Sequence, residues 1–429
     1  MKTFLRWLIL FGLLAGLWGC TATPASPTPA PVQITFYKRG YTAGGTDVTS
    51  TTIDQAVRAF EQKHPNIQVE VVGLDWTPEA SAKLEEALKL GKDIDVLSVN
   101  SNDLVRFARL GYLADVDSQL TPADRDDFFA SGVAATSADG KMYAWPLWAT
   151  TAAMYANPEL LKERGVEPPS LEDPWTWDEF VQAAQKLTFT RPDGSQVYGF
   201  SAPSKPGVTL YTPLLYIDGG RVLSPDGRRF VQNSPEAISA LQKIADLAHK
   251  YKVTPPDFGN VDQAGVREQL KAGTLAMILD TPNTIPEFER NKVNFIALPP
   301  PTGDAGKIVT VGGFGMYGVF KSDDPARVQA AHEFARYLTS AEVARDVPGY
   351  QQAPSLRRSN TTYATDPARE MIARLVSYAV YDSNIPIAPE VFNAYHATLN
   401  AIILGQKTPQ QAIDEIAPLY QAELDAFNR

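Results

Sequence analysis

From Val32 onward, the apolar positions switch repeatedly between a strand-like and a helical period. Val32 to Phe36 reads as a strand, and Ile53, Ala56, Val57 and Phe60 recur at the spacing of a helix that Pro65 stops. Ile67, Val69 and Val71 alternate as a second strand, and Asp93 to Val99 makes a third. The next helix carries Leu104, Phe107 and Leu110, with Gly111 as its C-cap. Thr176-Trp177-Asp178-Glu179 is a capping box that opens a helix with Phe180, Ala184 and Leu187 inward. Pro192-Asp193-Gly194 and Pro225-Asp226-Gly227 are turns, and Ala237, Leu241, Ile244 and Ala248 mark another amphipathic helix. Leu275 to Leu279 is apolar throughout, as a buried strand is. Ile308 to Val311 and Met316 to Phe320 predict two further strands around Gly312-Gly313-Phe314-Gly315. After Pro325 the pattern is mostly helical, with a second capping box at Thr408 to Gln411. Repeated strand–helix units predict an α/β protein with parallel sheets and helices on both faces.

The first thirty-one residues follow neither period. Lys2 and Arg6 precede an apolar run from Trp7 to Leu17, and Leu17-Trp18-Gly19-Cys20 follows. A basic start, a short apolar stretch and a small-residue cut site make an export signal over residues 1–19. The one cysteine of the chain, Cys20, stands where a bacterial lipobox places the lipidated thiol. Residues 21–31 are Thr, Ala, Ser and Pro alone, a spacer between anchor and body within the segment 20–31. The expected location is therefore extracytoplasmic, held to the cell membrane through Cys20. Without residues 1–19 the net charge of −10 becomes −12, because Lys2 and Arg6 leave.

Several chemistries have no carrier here. An acidic chain with no long basic run has no electrostatic footprint for nucleic acid. A single cysteine excludes a disulfide framework, and no two of the four histidines share a helix four residues apart. His332-Glu333 begins like a zinc-protease motif, but Arg336 stands at the second ligand position. No Gly-x-Ser-x-Gly elbow or phosphate-binding loop is present, and Asp126/Asp127 reads as a solvated pair. No cofactor and no metal site are expected, and no catalytic residue is nominated.

The chain resembles the family 1 extracellular solute-binding proteins of ABC importers, the carbohydrate-binding group that includes maltose-binding protein. The markers are Phe60 to Val71, Leu110 to Val116, Asp139 to Pro146, Met154 to Asn157, Thr176 to Phe180, Lys271 to Gly273 with Ala276-Met277, and Gly312-Gly313. The resemblance implies a two-lobed, periplasmic-binding-protein-like (type II) α/β fold, with a ligand cleft between lobes joined by three crossings. By similarity these fall near Trp148–Ala153, Thr310–Phe314 and Ser355–Ser359. The lobes would be residues 32–150 with 313–356, and residues 151–310 with 357–429. It also implies a binding protein and not an enzyme, monomeric, delivering its solute to permease subunits of an importer.

A sugar offers apolar C–H faces ringed by hydroxyls, so its site wants aromatic platforms edged by amides, hydroxyls and carboxylates. Of seven tryptophans, Trp76, Trp145, Trp148, Trp175 and Trp177 follow Cys20. Trp145 and Trp148 flank Pro146 before the first crossing and are candidate platforms, while Trp175 and Trp177 suit packing at a helix start. Residue matching to the maltose-binding relative adds Asn102, Thr150 and Asn283, which replace an acid, an acid and a stacking tryptophan there, and Phe392, which keeps aromatic character. Arg39, Tyr41, Tyr211, Gly313, Phe314 and Tyr350 complete the candidate ligand-binding set. The leading expectation is a sugar or oligosaccharide receptor. Alternatives are a glycerophosphodiester, polyol or polyamine, a sensor without transport, or a glycosidase or lyase on the same fold; Arg39 is the one cation placed in the cleft.

Overall fold

Ile34 and Phe36 are buried and their neighbours are not, so the chain's first regular segment is a strand with an apolar face. The protein is described by a computed structural model over residues 31–75, 84, 86–90, 93–99, 101–205, 211–380 and 387–428. The export signal, Cys20 and Trp76 lie outside these residues. In chain order the strands are β1 (Val32–Arg39), β2 (Ile67–Leu74), β3 (Val96–Val99), β4 (Ser137–Ala138), β5 (Lys141–Met142) and β6 (Ala144–Thr151). They continue with β7 (Ala153–Ala156), β8 (Phe189–Thr190), β9 (Gln196–Ser201), β10 (Leu275–Asp280), β11 (Ile296–Leu298) and β12 (Gly312–Val319).

Two five-stranded sheets result, in the orders β2-β1-β3-β12-β6 and β11-β7-β10-β9-β8. In the first, β1 runs parallel to β2 and β3, as a strand–helix–strand connection requires. The intervening helix Val48–Lys63, capped by Asp47, buries Ile53, Ala56, Val57 and Phe60 in this lobe's core. The sheets are mixed, however, and not parallel throughout. β12 runs antiparallel to β3 and β6, and β7 antiparallel to β10 and β11. The reason is connectivity: each of these strands enters its sheet from the other lobe or leaves for it.

The passages between lobes are laced together. The chain goes from β6 to β7 through Ala152, whose N–H donates to the Val311 carbonyl at 3.1 Å. Thr310 Oγ1 donates to the Ala152 carbonyl at 2.6 Å, and its backbone bonds to Tyr378 and Val380. Ile308–Val311 is therefore a crossing segment and not the strand its apolar run predicts. Conversely, β12 runs unbroken from Gly312, straight through the glycines expected to separate two strands. Ser355–Arg358 stays with the first lobe: Leu356 N–H donates to Leu147, and Arg358 N–H to Asp127. The third passage accordingly follows Ser359, which the Asp127 carboxylate holds through its N–H (2.7 Å) and Oγ (2.8 Å). Asp127 is thus a structural clamp, not a solvated acid.

Local expectations were met elsewhere with two exceptions, the first being that β3 covers only Val96–Val99 of the strand expected over Asp93–Val99. Both capping boxes form, at Thr176/Glu179 and Thr408/Gln411. Leu110 instead falls beyond the helix Ser101–Arg109 and is exposed, because Gly111, at φ 76°, reverses the chain there.

Candidate functional site

The strands of the first sheet deliver their ends to a cavity of about 470 Å³. Its wall includes Lys38, at the carboxyl end of β1, and Ser98 on β3. Thr49 and Thr52 reach it from the first turns of the following helix. Trp148 and Thr150 come from β6, and Gly313 and Phe314 from β12. Tyr350, Gln351 and Gln352 close one side, and Asn283 reaches in from the second lobe. The cavity therefore lies at the boundary of the two lobes, beyond strand ends, where open α/β sheets take ligands.

Trp148 owes its place to an absent side chain. In the β6–β12 register it faces Gly315, and a Cβ there would overlap the indole. A bulge between Gly315 and Met316 bends the pair at the same point. Next to it, Thr150 Oγ1 accepts from Gly313 N–H at 2.9 Å, which holds the two passages side by side at the cleft floor. Tyr350 is anchored by its hydroxyl, 3.1 Å from that of Tyr317, and burial raises both phenols well above their ordinary pKa. Asn283 sits exposed just ahead of the helix Thr284–Arg290. Of the predicted residues, the fold thus brings Arg39, Trp148, Thr150, Asn283, Gly313, Phe314 and Tyr350 to one wall.

Others it does not. Trp145 is fully buried in the first lobe's core, where its indole N–H donates to His332 Nδ1 at 3.2 Å. Burial, with Arg336 nearby, pulls His332 down to about 4, which keeps it a neutral acceptor for that indole. Trp145 is therefore packing and not a platform. Tyr211 is equally buried, in the core of the second lobe, and Trp177 is core as expected. Tyr41 spends its hydroxyl on Asp54 at 2.8 Å, and Phe392 stands exposed on the helix Pro389–Ile403, off the cavity wall. The side chain of Asn102 lies outside the described residues.

Arg39 lines the cavity but does not offer its charge to it. Its Nη2 pairs with Asp103 at 3.0 Å, its Nη1 donates to the Asp75 carbonyl at 2.9 Å, and it is 2% exposed. The cation on the wall is its neighbour Lys38, which sequence reasoning passed over. Burial pulls Lys38 down to about 8. The available signal was positional: Lys38, Thr49 and Thr52 follow or border the carboxyl end of β1. Among the described residues no aspartate or glutamate lines the cavity, and no group of acids, histidines or cysteines could hold a metal. An aromatic face edged by hydroxyls and amides can bind a solute with an apolar face and polar rim.

Known proteins share this frame. A solved structure of the sugar-binding protein MalE from Xanthomonas citri superposes with a TM-score of 0.79 at 19% identity, covering 92% of this chain and 98% of that one. The multiple sugar-binding protein of Streptococcus mutans is 23% identical over 306 residues, 68% of each chain. An uncharacterized lipoprotein of Streptomyces antibioticus is 30% identical over 216 residues, 50% of this chain and 45% of that one. The family model of the bacterial extracellular solute-binding proteins matches residues 44–345. With most of its length so matched, and with a cleft between two α/β lobes, this chain is a member of the bacterial extracellular solute-binding protein family.

Proposed function

We propose that this protein captures a sugar or oligosaccharide in its interlobe cleft and delivers it to the permease subunits of an ABC importer. The observation that carries this reading is Trp148 presented on the cleft wall among Thr150, Ser98, Asn283 and Gln351. A flat ring buries a sugar's C–H face at little entropic cost, and the surrounding hydroxyls and amides meet its rim. The Streptococcus and Xanthomonas relatives are both named as sugar-binding proteins, which points the same way. Residues 32–150 with 313–359 act as one lobe and 151–310 with the chain after Ser359 as the other, closing by hinge motion about the passages at Ala152 and Thr310. The protein works as a monomer.

A thermal-shift screen of the purified protein against sugars, polyols, glycerophosphodiesters and polyamines tests the reading. A ligand at 100 times its Kd stabilises the fold by about 2.7 kcal/mol, a rise of roughly 5–10 °C if one lobe unfolds as a unit. A response confined to phosphates or amines would discard the sugar. Trp148→Ala is expected to weaken the responding sugar by about 1–3 kcal/mol in titration calorimetry, as loss of a central aromatic anchor does. An unchanged Kd would assign the indole to packing alone.

The protein is held outside the cytoplasm by lipid on Cys20, the chain's one thiol. No helix among the described residues is long and apolar enough to cross a membrane. Cys20→Ser should move the protein from the membrane to the soluble fraction. Retention on membranes after an alkaline wash would point to an uncleaved signal helix.

A further inference from the structure

Lys38 lines the cleft, and its ammonium bonds to a neutral group. Its Nζ donates to the Arg39 carbonyl at 2.8 Å, and no carboxylate pairs with it among the described residues. Arg39, the adjacent cation, is neutralised by Asp103 at 3.0 Å and turned away into the lobe. The wall itself contributes no aspartate or glutamate among the described residues. Among the described residues the cleft thus contains a desolvated positive charge and no counter-charge. Such a group weakens the empty fold, since burial disfavours its charged form, and sites that bind ligands are where that arrangement recurs. A neutral sugar would accept a hydrogen bond from the ammonium but leave the charge uncompensated. An anion supplies both the acceptor and the opposite charge, turning the hydrogen bond into an ion pair in a site shielded from water.

We infer that the ligand carries an anionic group, a carboxylate or a phosphate, that pairs with Lys38 while its apolar face lies on Trp148. The inference rests on the solute-binding reading above and narrows the solute to an acidic sugar derivative.

The test is titration calorimetry on the purified full-length protein at pH 7 and constant ionic strength. The probes are matched sets: glucose, glucuronate and glucose 6-phosphate, then galactose, galacturonate and galactose 1-phosphate, with inorganic phosphate and glycerol 3-phosphate alongside. In one set an anionic member should bind about tenfold or more tighter than the neutral sugar, and the uronate and phosphate arms separate the two sources of charge. Lys38→Met should erase that preference and Lys38→Arg should keep most of it. Lys38→Met should also raise the melting temperature of the ligand-free protein at pH 7, a readout that separates lost recognition from lost folding. Below about pH 8 Lys38 is protonated both folded and unfolded, so the full desolvation penalty is present there and the methionine removes it.

Neutral and anionic members binding equally, or a preference that survives in Lys38→Met, would overturn the anion and leave the sugar standing. Binding of inorganic phosphate or glycerol 3-phosphate without any sugar would keep the role of Lys38 and sink the sugar. No binding by any probe would overturn both.

Discussion

Asp280→Ala should lower the stability of the second lobe by about 3–5 kcal/mol, the range for removing one partner of a buried ion pair. Asp280 ends β10, is fully buried, and accepts from five donors, the farthest being the Thr281 hydroxyl at 3.5 Å. Arg267 Nε reaches it at 2.7 Å and Nη2 at 3.3 Å, Gln263 Nε2 at 2.6 Å, and the Thr281 N–H at 2.6 Å. Alanine would strand those donors in a site with little water. Arg267 keeps Glu287 at 2.9 Å, which puts the expected loss toward the lower end. At about 2–4 °C per kcal/mol, the melting temperature should fall by at least 6 °C. Asp280 also begins the turn that carries Asn283 to the cleft, so affinity for the bound solute should weaken with it. A fall of less than about 2 °C would mean that Glu287 alone satisfies the guanidinium.

Gly312→Ala should destabilise the protein by about 3 kcal/mol, at the upper end of the usual overpacking cost. A Cβ at this position would overlap the Thr150 carbonyl oxygen, a backbone atom that cannot rotate away. Relief requires β12 to separate from β6 where the chain passes between lobes, so closure on the solute should suffer as well as folding. Gly313→Ala is the control: there a Cβ meets only Thr150 Oγ1, at 3.2 Å, a side-chain atom able to yield. Its expected loss is below about 1 kcal/mol, the scale of a surface substitution. Equal melting temperatures for the two variants would show that the strand ends part without cost.

The glycines of Gly312-Gly313-Phe314-Gly315 illustrate what could and could not be read from the chain. Their presence marked something unusual, yet they were assigned to a break between strands. They sit inside one strand, because Gly312 must pass the Thr150 carbonyl and Gly315 must leave room for the Trp148 indole. Neither neighbour is near in sequence. Trp145 and Trp148 carry a similar lesson. In a regular strand residues three apart project to opposite faces, but the bulge between Gly315 and Met316 intervenes, so Trp145 pairs with Tyr317 and Trp148 with Gly315, two positions on one face of β12. Both indoles therefore pack on the first lobe's core, Trp145 fully buried beside His332 and Trp148 at its edge, where it meets the cavity. Which of the two candidate platforms reached the cleft was decided by the bulge and the sheet's partners.

Helix caps, turns and burial stripes were readable along the chain because each closes within about four residues. Thr176 and Glu179, Thr408 and Gln411, and the stripe Ile53, Ala56, Val57 and Phe60 form as their spacing dictates. The family markers likewise carried the two-lobed architecture. The choice between adjacent side chains was not local. Arg39 was taken from the cleft by Asp103, 64 residues away, which left Lys38 to face it. Thr150 and Gly313 meet across 163 residues to join the passages. Contacts of that span exist only once the sheets have assembled, so the identity of the groups facing the solute was settled by tertiary packing and not by the local pattern.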